Sequence, residues 1–406
     1  MPSPALPPRA CRRLTTQGPL LLTGLLTVVY AVAYATQAIL RHESLGSNAL
    51  DLGYEDQALW NTLHGHPYAF TLLSGGGFSL DYQATLTHTS ESLLAYHAEL
   101  LLAPLSLLYA VLPDVRALLA LQAVVVCAGA LAAFGLATRR LHNAWAGCFV
   151  ALAYLCSPFV EAELLSDFHT VALDSALFML LFYLIERRWL VPVLLTGLLA
   201  ATAKEDAPVA LALLGLWTLL RRRWRQAGLG LLAIGCIGAL FDFGWLIPHF
   251  SPGQASPFLA RYGYLGPTPL ALLTRVLRHP SVLAPTLGSV ESRAYALALL
   301  GSSGALVLFA PLTLLIAAPS LAINVLATFP WMRSGMADYS ALVLPVVITA
   351  AIEGMRNLLT LEEALRSRRR PTRQASAVTT AGVTPRGRRR PTVALGLAAW
   401  LAVAAA

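Results

Sequence analysis

Apolar stretches long enough to enter or cross a lipid bilayer recur along nearly the whole chain, and this recurrence constrains the fold more than any motif. A span needs about 20 mostly apolar residues, and Gly18–Leu40, Val115–Thr138, Trp145–Phe159, Val171–Ile185 and Gly228–Ile247 reach or approach that length. Only 12% of the 406 residues are charged, about half the share of a soluble domain. The expected fold class is therefore all-α, a polytopic transmembrane helical bundle. The net charge of +8 does not point to nucleic acid, because the basic residues sit in short clusters between apolar segments, as cytoplasmic loops do. The five cysteines show no CxxC spacing, and four lie in or beside apolar segments, so they read as apolar filler.

Charge placement assigns sides. Arg9, Arg12 and Arg13 precede a first apolar segment without a clean cleavage site, which reads as a retained signal anchor with residues 1–17 in the cytoplasm. From Arg41 to Glu91 five carboxylates (Glu43, Asp51, Glu55, Asp56, Asp81) face one arginine, marking an extracytoplasmic loop. Whether Glu91–Leu112 spans decides the rest. A span would put Arg139–Arg140, Arg187–Arg188 and the Arg221–Arg225 cluster outside, against the loop-charge rule. Glu91, Ser92, His97, Glu99 and Pro104 interrupt that segment, so it is expected to lie in the plane of the outer leaflet, within an outer region of about 41–114.

By parity, Glu161–His169, Lys204–Asp206 and a loop from about Pro248 to Ser292 lie outside. A helical hairpin about Pro311–Pro319 then leads back to Trp331–Tyr339, and Ser340–Met355 returns inward. The transmembrane domain covers 18–357, and 358–391 reads as a basic cytoplasmic linker, disordered from Arg366. Residues 392–406 read as a partial or truncated helix, truncation being favoured.

Three polar clusters then share the outer face. The first, from Asp51 to Gly65, reads as a short helix with Asp51 and Glu55 on one stripe and Asp56, Trp60 and His64 on another. A carboxylate beside an aromatic suits a sugar; an interfacial helix anchored by Trp60 is the alternative. The second holds Asp167 and His169, either a carboxylate–imidazole pair able to bind a metal or move protons, or a helix cap. The third, Lys204-Glu205-Asp206, joins two short apolar segments, so its charges lie near the membrane boundary, where ionisable groups pair with one another or mark a substrate path. Lys204 is the chain's single lysine, a point charge suited to phosphate. His97, Glu99, Arg261, Arg333, Asp338 and Tyr339 complete the outer inventory. There is no P-loop, dinucleotide fingerprint, GxSxG or HExxH, so ATP phosphorylation, dinucleotide redox chemistry and serine hydrolysis have no support.

The strings DLGYEDQALWNTLHGHPY, YHAELLLAPLSLLYAVLP, SDFHTVAL, TAKEDAPVALALLGLW and RYGYLG, in this order, resemble a bacterial family of multi-pass membrane proteins of unknown function. That family is in turn similar to the GT-C superfamily of membrane glycosyltransferases, which use polyprenyl-phosphate sugars and carry interfacial helices in an acidic first outer loop. The chain departs from the family pattern at Tyr96-His97, where Asp-His is usual, and at Asp338-Tyr339-Ser340, where His-Tyr-Ser is usual.

The resemblance implies a fold of GT-C type in the bacterial inner membrane and sugar transfer from a lipid-linked donor. It implies a first-loop acid, Asp51 or else Asp56, as general base or holder of a divalent metal. Lys204, with Arg261, would neutralise the donor phosphate. Trp60, His97, Asp167, His169, Glu205 and Asp206 would orient substrate. Membrane lipid is the expected partner. A transporter or lipid flippase is the rival reading, for which intramembrane charge pairs are equally expected.

Overall fold

The computed structural model describes residues 9–71, 79–81, 84–85, 90–221, 224–251, 257–368 and 389–405. It is nearly all helical; among the described residues the strands are one antiparallel hairpin, Ser79–Asp81 with Ala84–Thr85, in the first loop. Helix α1 is Arg9–Glu43, followed by α2 (Tyr54–Leu63), α3 (Leu102–Tyr109), α4 (Val115–Leu141), α5 (Ala144–Leu155), α6 (Pro158–Leu164), α7 (Leu173–Arg187), α8 (Leu190–Ala200), α9 (Ala207–Leu220) and α10 (Arg225–Phe241). A closing helix runs over Leu344–Arg368, and Arg389–Ala405 forms a further helix packed on α5.

Four helical stretches among the described residues are long and apolar enough to cross a membrane: Gln17–Glu43, Val115–Leu141, Arg225–Phe250 and Ala337–Arg366. The pair α5 and α6, bent by 48°, makes a fifth if it is one span. Burial sorts them. Only 22% of the apolar window of α1 is buried, against 83% for Ala337–Arg366. The first therefore presents Leu21, Leu25, Val28 and Val32 outward, as a lipid-facing helix does, and the second is core. Between them α4 packs on α1, α5, α7 and the closing helix through an alanine-rich face.

Small residues set the closest approach. A Cβ on Gly215 of α9 would collide with the Leu232 backbone nitrogen, and one on Gly235 of α10 with the Ala212 nitrogen. Backbones touching in this way gain dispersion energy that apolar lipid alone does not supply.

Several sequence expectations shift. Val171–Ile185, Leu190–Ala203 and Ala207–Leu220 become helices of 15, 11 and 14 residues, short for a span, because their connecting loops fold into the bundle. Glu91–Leu112 holds no long helix, only a 3₁₀ turn at Leu93–Ala95 and the eight residues of α3. The hairpin turn expected at Pro311–Pro319 lies earlier, at 303–310, where Gly304 and Ala305 adopt left-handed backbone; both prolines open helical segments, which their fixed φ suits. The closing helix continues to Arg368, past the boundary expected at 357. The remainder of the expected linker, 369–388, lies outside the described residues.

Candidate functional site

The first loop enters the bundle through a cap. The Asn48 side chain accepts from the Leu50 amide, and a wide π-helical turn, Ala49–Gly53, leads directly into α2. That helix ends at His64, with Gly65 in left-handed backbone (φ +87°), the terminator a glycine tolerates. Asp51 and Glu55, one turn apart, face inward. Asp56 and Trp60 point elsewhere: the Tyr109 hydroxyl donates to the Asp56 carboxylate at 2.7 Å, tying α2 to α3, and half-exposed Trp60 stacks on His64 at 4.2 Å.

His169 sits in the loop before α7. Its amide donates to the Gln122 side chain of α4, and its Nδ1 donates to the Asp167 carbonyl at 3.0 Å. That bond fixes the ring, leaving Nε2 3.8 Å from the Asp51 carboxylate. The expected carboxylate–imidazole pair of Asp167 with His169 does not form. The Asp167 carboxylate instead pairs with Arg41 at 2.9 Å and accepts from the Asn48 amide at 2.6 Å, locking the loop to the end of α1. Nor does Asp167 cap a helix; His169 occupies the capping position of the following 3₁₀ turn.

The turn between α8 and α9 carries Lys204, Glu205 and Asp206. Two bonds hold it in place: Leu101 donates to the Thr202 carbonyl and the Thr170 hydroxyl to the Ala203 carbonyl, both at 2.7 Å. Glu205 accepts from His97 Nδ1 at 2.9 Å and from the Ala98 amide at 3.0 Å, and the His97 ring stacks on Phe258. Lys204 Nζ lies 3.9 Å from the Asp338 carboxylate, at the start of the stretch leading into the closing helix. Glu55 and Glu99 are buried against one another beneath this group. Arg261 stands aside, its guanidinium 4.8 Å from the ring centres of both Phe258 and Phe329.

Charges here are strongly biased. Burial works against the His169 imidazolium, but Asp338 and Asp51 outweigh it and hold the ring at about 9. Burial also opposes the Lys204 ammonium, yet Asp338, Glu205 and Asp206 keep it well above its ordinary value. Glu205, despite burial, is drawn down to about 2 by His97 and Lys204, whereas burial lifts Asp206 to about 6 against the pull of Lys204. Burial and the neighbouring Glu99 raise the Glu55 carboxyl well above the usual carboxylate range. The site thus offers two cations, a buried acid at Glu55, and one accessible carboxylate, Asp51, whose side chain is 44% exposed.

Six of the expected residues therefore share one cluster: Asp51, His97, His169, Lys204, Glu205 and Asp206. Asp56, Trp60, Asp167 and Arg261 are engaged around it. Asp338, Glu55 and Glu99 join it without having been assigned a role from sequence. In sequence Asp338 stood only in the outer inventory and as the position where the family pattern usually has His. A divalent metal finds no obvious seat, since no group of three or more His, Cys, Asp or Glu among the described residues could hold one.

Residues 41–384 match the model of a family described as Predicted membrane protein (DUF2079), and the chain belongs to that family. No curated protein matches it.

Proposed function

We propose that this member of the family transfers a sugar from a polyprenyl-phosphate donor to an acceptor hydroxyl at the extracytoplasmic face of the bacterial inner membrane. The observation that carries the reading is the convergence of Lys204 and His169, both held cationic, with the accessible Asp51 carboxylate 3.8 Å from the His169 ring. The resemblance to GT-C enzymes supports it, and the loop-charge rule supports the side, since the opposite helix ends are rich in arginine.

Chemically, the acceptor oxygen bonds to the anomeric carbon while the bond from that carbon to the donor phosphate oxygen breaks. The acceptor proton passes to Asp51, and the phosphate leaves on its lipid carrying the electron pair. Lys204 and His169 stabilise that leaving charge in a site from which most water is excluded. Asp338 keeps both cations charged, joined by Asp51 at His169 and by Glu205 at Lys204. Asp56 has no such position, because Tyr109 occupies it.

The test is turnover by the purified full chain in lipid nanodiscs, supplied with a panel of polyprenyl-phosphate hexoses and a mixture of hydroxyl acceptors. Asp51→Asn is expected to lose at least 100-fold, and Asp56→Asn to stay within a few-fold. Turnover of none of the donors, or undiminished turnover by Asp51→Asn, would overturn the assignment.

A further inference from the structure

We propose that a second site, at the opposite end of the bundle, binds the phosphate headgroup of an anionic lipid. There a cavity of about 470 Å³ is lined by Arg139, Arg140, Arg188, Arg221 and Arg356, with Glu186 and His142. Its volume falls in the usual range of small-molecule sites, roughly 300–1,000 Å³.

The helices deliver these side chains together. Arg139 and Arg140 end α4, Arg188 follows α7, and Arg221 follows α9. Arg356 lies on the closing helix 18 residues beyond Asp338 of the first cluster, about 27 Å along a helix axis at 1.5 Å per residue. The two polar groups are thus separated by nearly the hydrocarbon thickness of a bilayer, about 30 Å. That puts the arginine cavity at headgroup depth.

Basic residues at helix C-termini have a plain structural use, because each helix end carries roughly half a negative charge. That use does not consume the charge present. Glu186 and Glu353 both hold Arg140, whose side chain is only 7% exposed, and Glu353 also reaches Arg356. Those two carboxylates and three helix ends still leave the five guanidiniums about one and a half positive charges in excess. A phosphate headgroup carries one to two. Arg140 is fixed in advance by its carboxylates, so it loses little freedom on binding. The Arg221 Nε is buried and, among the described residues, has no hydrogen-bond partner.

The surroundings favour a lipid over a dissolved anion. Trp145 opens α5 just past His142, and Trp189 follows Arg188; both are about half exposed, and Arg187 stacks on Trp189 at 4.0 Å. Exposed tryptophans beside arginines mark the level of lipid headgroups.

Dioctanoyl phosphatidic acid, dioctanoyl phosphatidylcholine and inorganic phosphate serve as probes, titrated into the full chain in detergent and followed by native mass spectrometry. Phosphatidic acid is expected to bind at least tenfold tighter than phosphatidylcholine, with millimolar inorganic phosphate failing to displace it. The double variant Arg139→Gln/Arg221→Gln removes no buried carboxylate pair; it should keep the wild-type unfolding temperature and lose that preference. Displacement by inorganic phosphate at equal concentration would assign the cavity to a soluble phosphate and overturn the lipid reading. Equal binding of the two lipids, or unchanged binding by a folded double variant, would overturn the site itself.

Discussion

The two polar ends of the bundle are built from different material. One is assembled from loops: the first loop, the turn before α7 and the turn between α8 and α9 bring carboxylates, imidazoles and the single lysine into buried contact. The other is assembled from helix termini and gathers guanidiniums around a cavity open to the exterior. Loop-built charge is enclosed, so each group needs a counter-ion and its protonation is tuned by neighbours. Terminus-built charge is compensated in part by the helices and can remain in excess. Since α7 and α9 both run from the first cluster to the second, their dipoles point positive ends at the carboxylates and negative ends at the arginines. The two ends reinforce one another through the helices that connect them.

The largest expected difference between the ends comes from removing Lys204. Lys204→Met leaves Asp338, with a side chain 6% exposed, as a buried carboxylate short of its counter-ion, a change worth about 3–5 kcal/mol. A lowered unfolding temperature, partly recovered in Lys204→Met/Asp338→Leu, is the expected result; no loss would mean that the lysine is not a structural counter-ion.

The second difference is in pH. His169 binds its proton more tightly folded than unfolded, with a value near 9 against an ordinary 6.5. Its contribution, at most about 3 kcal/mol, is complete below pH 6.5 and is lost as pH rises through 9. Unfolding temperatures measured from pH 6 to 10 should fall across that window in the native chain and flatten in His169→Gln. Guanidiniums do not titrate there, so Arg139→Gln/Arg221→Gln should keep the native profile.

Third, Glu353→Gln leaves Arg140 with Glu186 alone, a loss of about 2 kcal/mol that should carry no new pH dependence between 6 and 9. The smallest effect belongs to Trp60→Ala. With Trp60 48% exposed and, among the described residues, in ring contact with His64 alone, stability should change by about 0.5 kcal/mol or less, and transfer activity should be retained. A large drop in activity would return this ring to the substrate site.

What could be read from sequence follows the range of the interactions. The helical class follows from local apolar runs, and Lys204–Asp206 stood out because two short segments left those charges nowhere polar to go. Asp51 and Glu55 shared a face by helical spacing alone. Asp167 misled because its neighbour in sequence, His169, is not its partner; Arg41, 126 residues away, takes the carboxylate. Asp338 belongs to the cluster through a contact with Lys204 that no local pattern encodes. The turn at 303–310 went unseen because Gly304 and Ala305 break the helix by backbone conformation, whereas Pro311 and Pro319 only begin new segments.

The shortness of α8 and α9 has a consequence for the membrane itself. Their 11 and 14 residues extend about 16 and 21 Å, well under the hydrocarbon thickness, and α8 presents Val191, Leu195 and Leu198 outward. Hydrophobic mismatch of this size thins the adjoining bilayer. Under the proposed function, such thinning beside this hairpin would bring the headgroups towards Lys204, so that the donor phosphate would reach the lysine without leaving its own leaflet.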